Sequence, residues 1–481
     1  MKKDRKAFIK TKRKGFPYRP VCERVADFKE VAILPSNQHS KEQAHRCMEC
    51  GTPFCHWACP LGNYIPEWND ALALGRWQDA HNYLIATNNF PEITGRLCPA
   101  LCEYSCVLGI NDDPVAIKEN ELAIAEKGFR DKYLKPRIPK KRTGKKIAVI
   151  GSGPAGLAVA DQLNQAGHRI TVFEKDDAAG GILRYGIPDF KLEKSIIEKR
   201  VAIMKKEGIE FIFNKCIEKT TEIRKFKKQF DAIILAIGSS VPRDLKLPGR
   251  NLKGIHFAMD YLVCANKKVN KKDVGRNEEI NAKGKRVLVI GGGDTGADCV
   301  GVANRQGASC VTQIELLPKP PECRTESDPW PKYPLLLKTS TSHQEGGQRL
   351  WSILTKEFKG RGGKVDKILC KKINMISDKK GCSLIKEIPN SDFEIETDLV
   401  IIAVGFLHPK PSGLIEGLGL KLDDRSNIET DFSYMTSEKA IFSAGDCRRG
   451  QSLIVWAIAE GRRAAYFIDS YLMGKSVLPK M

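Results

Sequence analysis

The 481-residue sequence lacks the features of a membrane or secreted protein. It contains no run of about 18 apolar residues, the length that a membrane-spanning helix needs. Its basic start, MKKDRKAFIKTKRKG, has none of the apolar stretch of a secretory signal peptide. We therefore expect a soluble, cytoplasmic protein that does not associate with membranes. In that reducing compartment, its 16 cysteines are not expected to form disulfides.

Acidic residues are too few to balance the basic ones. The chain has 58 Asp and Glu against 79 Lys and Arg, a formal net charge of +21. Such an excess can indicate nucleic-acid binding, but no recognisable nucleic-acid-binding module is present. The positive charge is scattered through lysine-rich runs, so we predict a solvated basic surface, part of which can face an acidic partner. We expect no nucleic-acid partner.

A glycine-rich turn within residues 145–174 organises the rest of the chain. The apolar run 147–150 is typical of a buried parallel strand, and glycines follow it at G-x-G-x-x-G spacing before a helical pattern. A second strand, 169–173, ends at an acidic residue that can accept hydrogen bonds from ribose hydroxyls. The pattern predicts a dinucleotide site, which we interpret as an FAD site. Its predicted contacts are Gly151, Gly153, Pro154, Ala155, Gly156 and Glu174.

Three later stretches return to the same ligand. A glycine pair in AAGGILRYGIP lets the backbone pass a flat ligand, and the arginine that follows supplies a cation. Two further strands end at glycines, and the second is followed by an aspartate that can bind a ribityl hydroxyl. A helix then opens near Leu453, and its N-terminus can stabilise negative charge on the reduced flavin. The additional predicted contacts are Gly181, Arg184, Gly238, Gly445, Asp446 and Leu453.

The stretch GKRVLVIGGGDTGADCV repeats the first turn. Strands at 286–290 and 310–315 flank it, so the chain contains an internal repeat of one nucleotide-binding unit. Two such units predict a flavin facing a nicotinamide donor, NADH or NADPH. The acidic end of the second strand slightly favours NADH, whereas Lys319 and Arg324 could hold a 2′-phosphate. The predicted NAD(P)H contacts are Gly291, Gly293, Asp294, Thr295, Gly296 and Glu315.

No side chain is predicted to act as a catalytic acid or base, because hydride transfer from nicotinamide to flavin needs neither. His343 is accordingly interpreted as a polar loop residue. The proline-rich stretch LLPKPPECRTESDPWPKYP is expected to form a loop over the nicotinamide site.

Seven cysteines are concentrated in CMECGTPFCHWACP and GRLCPALCEYSC. Buried structural cysteines would not cluster so densely, and zinc could use Cys47 with Cys50. Iron–sulfur clusters are favoured, because thiolates hold them and the cysteine motifs that bind them often end in Cys-Pro. Seven thiolates are one short of the eight that two four-iron clusters need, so another ligand is required. The seven are Cys47, Cys50, Cys55, Cys59, Cys98, Cys102 and Cys106.

The predicted fold is α/β, with two Rossmann-like dinucleotide-binding domains preceded by an α-helical iron–sulfur domain. The helical domain covers residues 1–143, with a basic arm over 1–20 that is mobile or draped on the surface and a helix over 68–86. The FAD-binding domain covers 144–251 and resumes at 406–481. The NAD(P)H-binding domain covers 252–405 and lies between the two parts.

From end to end, the sequence resembles the small (beta) subunits of glutamate synthase. The resemblance is carried by GRLCP, GSGPAGLAVA, GGILRYGIP, GGGDTGADC and SAGDCRRGQSLIVWAI. With the related dihydropyrimidine dehydrogenases, it implies one [4Fe-4S] cluster on Cys47, Cys50, Cys55 and Cys106. It implies a second on Cys59, Cys98 and Cys102. The dehydrogenase completes that second cluster with a glutamine seven residues after a proline, and the corresponding residue here is Glu121, seven residues after Pro114.

The resemblance also implies a function. Such a subunit takes hydride from NAD(P)H onto FAD and passes single electrons through its clusters to a large (alpha) subunit, which forms glutamate from glutamine and 2-oxoglutarate. Position 2 is Lys, where an amidotransferase with an N-terminal nucleophile would expose Cys, so this chain is not expected to make glutamate alone. Two alternatives stay open: a related electron-input subunit serving ferredoxin or another partner, and a basic nucleic-acid-binding protein with zinc-held cysteines.

Overall fold

Helices build the N-terminal region, which carries the clustered cysteines. The computed structural model describes residues 4, 6–218, 220–272, 279–377 and 383–481. Around Trp68, which is fully buried, the helices enclose an apolar core. They are α1 (Ala7–Lys10), α2 (Val21–Arg24), α3 (Asn37–Ala44), α4 (Phe54–Ala58), α5 (Ile65–Ala73), α6 (Trp77–Thr87), α7 (Pro91–Leu97), α8 (Leu101–Tyr104), the 3₁₀ helix η1 (Val107–Ile110) and α9 (Ile117–Arg130).

The single helix predicted over residues 68–86 is wrong, because two helices occupy this stretch. Helix α5 ends at Ala73 and α6 begins at Trp77. Between them, Gly75 adopts φ +74°, a left-handed conformation that glycine tolerates and that ends a helix. The chain turns there, so that the apolar residues of both helices face the same core.

The basic N-terminal arm lies on the helical region where it is described. Arg13 pairs with Glu103 at 2.7 Å and also donates to the carbonyl of Pro114 at 3.1 Å. The fully buried Arg46 donates to the carbonyl of Thr11 at 2.9 Å. These contacts favour the draped arm over the mobile one.

Residues 146–473 form two parallel five-stranded sheets, a three-stranded antiparallel sheet and the helices that connect their strands. Their strands and helices are β1 (Lys146–Ile150), α10 (Pro154–Gln165), β2 (Arg169–Phe173), α11 (Ile182–Tyr185), α12 (Lys194–Lys206), β3 (Glu210–Ile212), α13 (Thr220–Gln229), β4 (Ala232–Leu235), β5 (Ile255–Phe257), α14 (Ala258–Val269), β6 (Arg286–Ile290), α15 (Asp294–Arg305), β7 (Cys310–Glu315), α16 (Thr341–Gln344), β8 (Gln348–Trp351), β9 (Ile353–Arg361), β10 (Lys364–Ser377), β11 (Ser383–Glu396), β12 (Leu399–Ile402), α17 (Leu414–Leu418), β13 (Ile441–Ser443), α18 (Asp446–Arg449) and α19 (Ile454–Met473).

The first sheet has strand order β13-β4-β1-β2-β3 and the second has β5-β12-β6-β7-β8. All strand pairs in both sheets are parallel, and the buried strands are rich in Ile, Val and Leu, as strands covered on both faces are. Strand β13 comes from the C-terminal part of the chain but pairs with β4, so the chain leaves the first sheet, builds the second and returns. The predicted α/β fold with two Rossmann-like units is confirmed.

A three-stranded antiparallel sheet, in the order β11-β10-β9, was not predicted. Its apolar face, including Phe358, Ile368 and Cys370, packs against β6 and β12 of the second sheet. Its other face carries exposed lysine–glutamate pairs such as Lys359–Glu394 at 3.0 Å. The charged residues conceal the alternating apolar pattern of these strands in the sequence.

The helices of the described chain include none that is long and apolar enough to cross a membrane. The same part of the chain contains only free cysteines, with no disulfide.

Candidate cofactor and electron-transfer sites

The first glycine turn has a different structural reason for each glycine. Gly151 adopts φ +99°, and a Cβ there would lie 2.4 Å from the carbonyl oxygen of Ala236. A Cβ on Gly156 would lie 2.0 Å from the carbonyl oxygen of Gly151, so this glycine lets α10 pack against the turn. A Cβ on Gly153 would meet no atom within 4 Å. The turn therefore leaves open space at its middle glycine, at the N-terminus of α10, where a pyrophosphate can approach the backbone.

Glu174, at the end of β2, is tied to this turn. One carboxylate oxygen accepts hydrogen bonds from the backbone N–H of Ser152, at 3.0 Å, and from the Ser152 hydroxyl. The other accepts from the N–H of Asp176 at 3.0 Å. The side chain is buried, so Glu174 fixes the turn, and its contact with a ribose stays a prediction.

Two of the later predicted flavin contacts lie against the same turn. A Cβ on Gly181 would lie 3.1 Å from the Cα of Gly153, and one on Gly445 would lie 2.7 Å from the Cβ of Ala155. Gly238, at φ +68°, follows β4 and faces open space. Leu453 is the residue immediately before the 20-residue helix α19.

Two polar residues of this site differ in how fully the protein itself occupies their hydrogen-bonding groups. Arg184 is buried and donates to the carbonyl of Ala179 at 2.8 Å and to Glu198 at 3.3 Å, so its charge is already engaged by the protein. Asp446 accepts from the Ser452 hydroxyl at 2.7 Å. Burial raises the pKa of the Asp446 carboxyl to about 6. A group so desolvated is stabilised by further hydrogen-bond donors, such as ligand hydroxyls.

The second glycine turn repeats the geometry of the first. Gly291 adopts φ +118°, and its Cβ would lie 2.3 Å from the carbonyl oxygen of Ala403; a Cβ on Gly296 would lie 2.2 Å from the carbonyl oxygen of Gly291. Gly293 again faces open space, and Asp294 and Thr295 begin α15 behind it. Glu315 accepts from the N–H groups of Gly292 at 2.5 Å and Leu317 at 2.9 Å. The internal repeat therefore extends to the close contacts of both turns.

Sequence reasoning missed the side chain that supports the second turn. Gln313, in β7, donates to the carbonyl of Gly291 at 2.8 Å and pairs with the Nε2 of His343 at 2.8 Å. His343 lies in helix α16 and caps it with Ser340, so the loop position predicted for it is wrong. Burial lowers the pKa of His343 to about 4, which keeps the ring neutral at physiological pH. The available signal in the sequence was the glutamine itself, an amide side chain in the strand that follows the second glycine turn.

The proline-rich stretch after Glu315 crosses to the helical region. Arg324 donates to the backbone carbonyls of Asp328 and Lys332 and, at 2.6 Å, to that of Tyr104. The ring of Trp330 lies 4.6 Å from that of Phe54. Since three carbonyls engage its guanidinium, the predicted role of Arg324 in holding a 2′-phosphate is not supported.

Four of the predicted cluster cysteines surround one cavity. Asn69 is the one amide side chain in its otherwise apolar and thiol lining. Burial raises the pKa of the Cys50 and Cys55 thiols, and the neighbouring cysteines add to the effect. A metal cluster that binds thiolates would therefore have to displace their protons. The four thiols are those of Cys47, Cys50, Cys55 and Cys106.

The remaining cysteines form a second group around Glu121. Burial, together with the nearby Glu121 carboxyl, raises the pKa of Cys98 to about 11 and that of Cys59 to about 12; Cys102 is shifted in the same direction. Glu121 itself is buried, and its pKa is raised to about 7 by burial. It accepts hydrogen bonds from the amide of Asn88, at 3.1 Å, and from the Thr94 hydroxyl.

The spacing of these groups bears on the zinc alternative. No three His, Cys, Asp or Glu side chains, within the ranges that the structure describes, are placed to hold a single metal ion. Sulfur ligands of one zinc would stand about 3.8 Å apart, from a Zn–S bond of about 2.3 Å in a tetrahedron. Thiolates around a four-iron cluster stand farther apart, because each binds its own iron. The four thiols around the cavity are the donor set that such a cluster takes.

Two family models match successive parts of the chain. Residues 145–461 match the family model described as pyridine nucleotide-disulphide oxidoreductase, and residues 24–132 match that of dihydropyrimidine dehydrogenase domain II, 4Fe-4S cluster. The glutamate synthase [NADPH] small chain of Mycobacterium tuberculosis is 50% identical over 98% of this chain and 96% of its own length. The chain belongs to the glutamate synthase small-chain family.

Some relatives are much longer than this chain. The glutamate synthase [NADH] of Schizosaccharomyces pombe is 46% identical over 98% of this chain, which corresponds to 23% of that protein. Among solved structures, Mycobacterium tuberculosis FprA in complex with NADPH superposes with a TM-score of 0.56 at 18% identity, covering 69% of this chain and 85% of FprA. This likeness concerns the fold.

Proposed function

We propose that this chain is the electron-input subunit of a glutamate synthase. In this role it oxidises NAD(P)H at FAD and delivers electrons through two [4Fe-4S] clusters to a large subunit that forms glutamate from glutamine and 2-oxoglutarate. The observation that carries the proposal is the combination of two glycine turns of matching geometry with a cavity surrounded by four cysteines. Small-chain relatives across nearly the full length support the assignment.

The first unit is assigned to FAD. The open space at Gly153 admits the pyrophosphate, and Glu174 and Asp446 supply acceptors for ribose and ribityl hydroxyls. The N-terminus of α19, after Leu453, would present the positive end of the helix dipole to a bound flavin. That positive end would favour extra electron density on the ring without itself exchanging protons. We place this unit at residues 144–251 and 406–481.

The second unit, residues 252–405, is assigned to the nicotinamide nucleotide. Gly293 leaves room for its pyrophosphate, while Gln313 holds the Gly291 carbonyl in place. Glu315 can accept from an adenosine ribose, which favours NADH on chemical grounds. Relatives carry both names, [NADPH] in bacterial small chains and [NADH] in yeasts. We therefore propose NAD(P)H as the donor without assigning a preference.

The helical region, residues 1–143, is assigned to the clusters. Cys47, Cys50, Cys55 and Cys106 would hold one, and Cys59, Cys98, Cys102 and Glu121 the other. When bound, the flavin accepts hydride and the clusters carry single electrons. The protein's part is to bring the cysteines of each group together, and their thiols would release their protons when metal binds.

The proposed partner is a separate large subunit, in the cytoplasm. In the yeast relatives, the matched region is about a quarter of a longer glutamate synthase chain, which supports a close working association between the two parts. The formal charge of +21 favours an acidic docking face on the partner.

The cofactor content of the purified chain tests the assignment. Protein prepared without oxygen should contain one FAD and about eight iron and eight sulfide per chain, as two [4Fe-4S] clusters require. It should also reduce an artificial dye with NADH or NADPH. About four iron per chain would leave one cysteine group without a cluster, and a chain without flavin would contradict the proposal.

A further inference from the structure

Glu345 is a buried carboxylate shared by two buried arginines. Arg305 donates to both of its oxygens, at 2.9 Å through Nη2 and also through Nη1. The Nε of Arg24 lies 2.8 Å from Oε1 of Glu345, close but not aligned for a hydrogen bond. All three side chains are at most 2% exposed. The cluster carries a net charge of +1, so Glu345 is the group that makes burial of both arginines tolerable.

Three separate parts of the chain meet at this cluster. Arg24 belongs to residues 17–34, which we call the N-terminal strap and which close on themselves through a bridge between Tyr18 and Ala32. Arg305 is the last residue of α15, the helix that begins at the second glycine turn. Phe190, from the segment that follows the flavin-side glycines, lies under the Arg305 guanidinium, 3.7 Å from it to the ring centroid.

The strap is bound by backbone as well as side-chain contacts. Arg305 Nε donates to the carbonyl of Asp27 at 3.0 Å, and the N–H of Val31 donates to the carbonyl of Phe190 at 3.1 Å. Arg24 Nη2 donates to the carbonyl of Thr341 at 3.0 Å and to the side chain of Gln344 at 3.1 Å. The strap therefore binds both ends of helix α16.

Helix α16 in turn supports the second glycine turn. His343, two residues before Glu345, pairs with Gln313, which donates to the carbonyl of Gly291. Helices α15 and α16 are tightly packed here. A Cβ on Gly301 of α15 would lie 2.4 Å from the Ser342 hydroxyl and 2.8 Å from the ring of Phe190. A continuous set of contacts thus runs from the strap through Glu345 and His343 to the turn.

We propose that Glu345 and Arg24 are positioning residues for the nicotinamide nucleotide, and that the N-terminal strap sets the geometry of a site that it does not touch. Glu345 holds α15 and α16 together, and the strap fixes both against the flavin-side segment. This inference rests on the proposed assignment of the second unit to NAD(P)H. It adds a determinant of nucleotide affinity that lies in the N-terminal region.

The test compares Glu345→Gln and Arg24→Gln with the unsubstituted chain, each loaded with FAD. The KM for NADPH and NADH in dye reduction should rise about tenfold for Glu345→Gln. A remote substitution that shifts the second glycine turn even slightly should weaken nucleotide binding strongly. Arg24→Gln, which leaves the Arg305–Glu345 pair intact, should raise the KM less. The kcat and the FAD content should change less than about twofold, since neither residue is among those assigned to FAD.

The matched control is Glu30→Gln. It breaks the pair between the strap and Arg96 of the helical region, 2.6 Å apart, but leaves α16 untouched. Trypsin cleavage after Lys29 should accelerate in Arg24→Gln and in Glu30→Gln alike, while only Arg24→Gln should raise the KM. If Glu345→Gln does not fold, the comparison of Arg24→Gln with Glu30→Gln still tests whether the strap positions the nucleotide site.

Two results would overturn the inference: an unchanged KM in Arg24→Gln despite faster cleavage, or an equal rise in Glu30→Gln, which would indicate general loosening. If the unsubstituted, FAD-loaded chain binds no nicotinamide nucleotide, the proposed function fails together with the inference. If that chain oxidises NAD(P)H normally and the variants do too, only the inference fails.

Discussion

Arg200 donates to both carboxylate oxygens of Glu92, at 2.7 and 2.8 Å, across the junction between the helical region and the first sheet. Both side chains are buried, and Arg200 also lies against the rings of Phe90 and Phe129. Glu92 is on α7, which leads directly into Cys98. Arg200 is on α12, whose Ile197 would touch a Cβ at Gly180 in the flavin-side segment. One ion pair therefore connects the proposed flavin site to the second cysteine group.

Replacing one partner of this pair should be far more costly than replacing both. We expect Arg200→Met to lower the free energy of unfolding by about 3–5 kcal/mol, because it leaves the Glu92 carboxylate buried without a counter-charge. Arg200→Met combined with Glu92→Leu should recover most of that loss. Urea unfolding of the two variants would show the difference, and equal midpoints would mean that the pair contributes no buried-charge penalty.

The second nucleotide turn should respond differently to substitution at its middle glycine, Gly293, and at its last glycine, Gly296. Gly293→Ala adds a Cβ to open space at φ −77°, so the fold and the FAD content should be unchanged while nicotinamide affinity falls about tenfold, or 1.4 kcal/mol. Gly296→Ala forces its Cβ to 2.2 Å from the Gly291 carbonyl and should destabilise the unit by about 1–3 kcal/mol. Equilibrium binding of NADP⁺ and thermal unfolding distinguish the two effects. Loss of stability in Gly293→Ala would contradict the assignment of that space to a ligand.

The strands of the nucleotide-binding units and both glycine turns could be predicted from the sequence, because local residue patterns determine them. Strands β2, β6 and β7 begin and end at the residues expected from their apolar runs, and the repeated glycine spacing identified both turns. The supporting contacts could not be predicted. Glu92 and Arg200 are 108 residues apart, and His343 reaches Gln313 across 30 residues through a short helix with no apolar periodicity. Such pairs form only when separate elements pack together.

Asp446 should stabilise the cofactor complex while destabilising the empty protein. Its folded-state pKa of about 6 lies above the usual aspartate value of 3.8, so folding favours the protonated carboxyl. Its ionisation therefore costs stability as pH rises from about 4 to about 6, and the full cost persists above that range. At pH 7.5, flavin-free Asp446→Asn should be more stable than the unsubstituted protein by about 1–3 kcal/mol, and the gain should shrink at pH 5.

Urea unfolding of the flavin-free proteins at both pH values measures that gain, with the exposed Asp424→Asn as control. Asp446→Asn should also retain less FAD through purification, since the amide is a weaker acceptor for a ribityl hydroxyl. Undiminished flavin content would count against the proposed contact, and a gain that grows towards pH 5 would contradict the direction of the pKa shift.

Cys50→Ser should remove the cluster of the first cavity and leave the flavin. The serine hydroxyl cannot replace a thiolate among the four thiols that line the cavity. Iron should fall by about half, with FAD unchanged. Cys22→Ser, at an exposed cysteine outside both groups, should keep all of its iron. Full iron content in Cys50→Ser would remove Cys50 from the ligand set.

Glu121 can be tested by two substitutions of different chemistry. Glu121→Gln keeps an oxygen donor in the same place, as the related dehydrogenase has, and should retain iron in the second group. Glu121→Ala removes the donor and should lose about half of the iron, because Cys59, Cys98 and Cys102 supply only three ligands. Iron and sulfide analysis of the two variants tests whether Glu121 is a cluster ligand. Full iron content in Glu121→Ala would show that the eighth ligand lies elsewhere.

The most direct test of the proposed function is anaerobic glutamate formation from glutamine and 2-oxoglutarate, with NADPH or NADH as the reductant and a candidate large subunit added to this chain. We predict that glutamate forms only when both proteins are present, with one nicotinamide nucleotide oxidised for each reductive cycle. If this chain reduces a dye with NAD(P)H but supports no glutamate formation, its electrons go to another partner, and the assignment to glutamate synthase is contradicted.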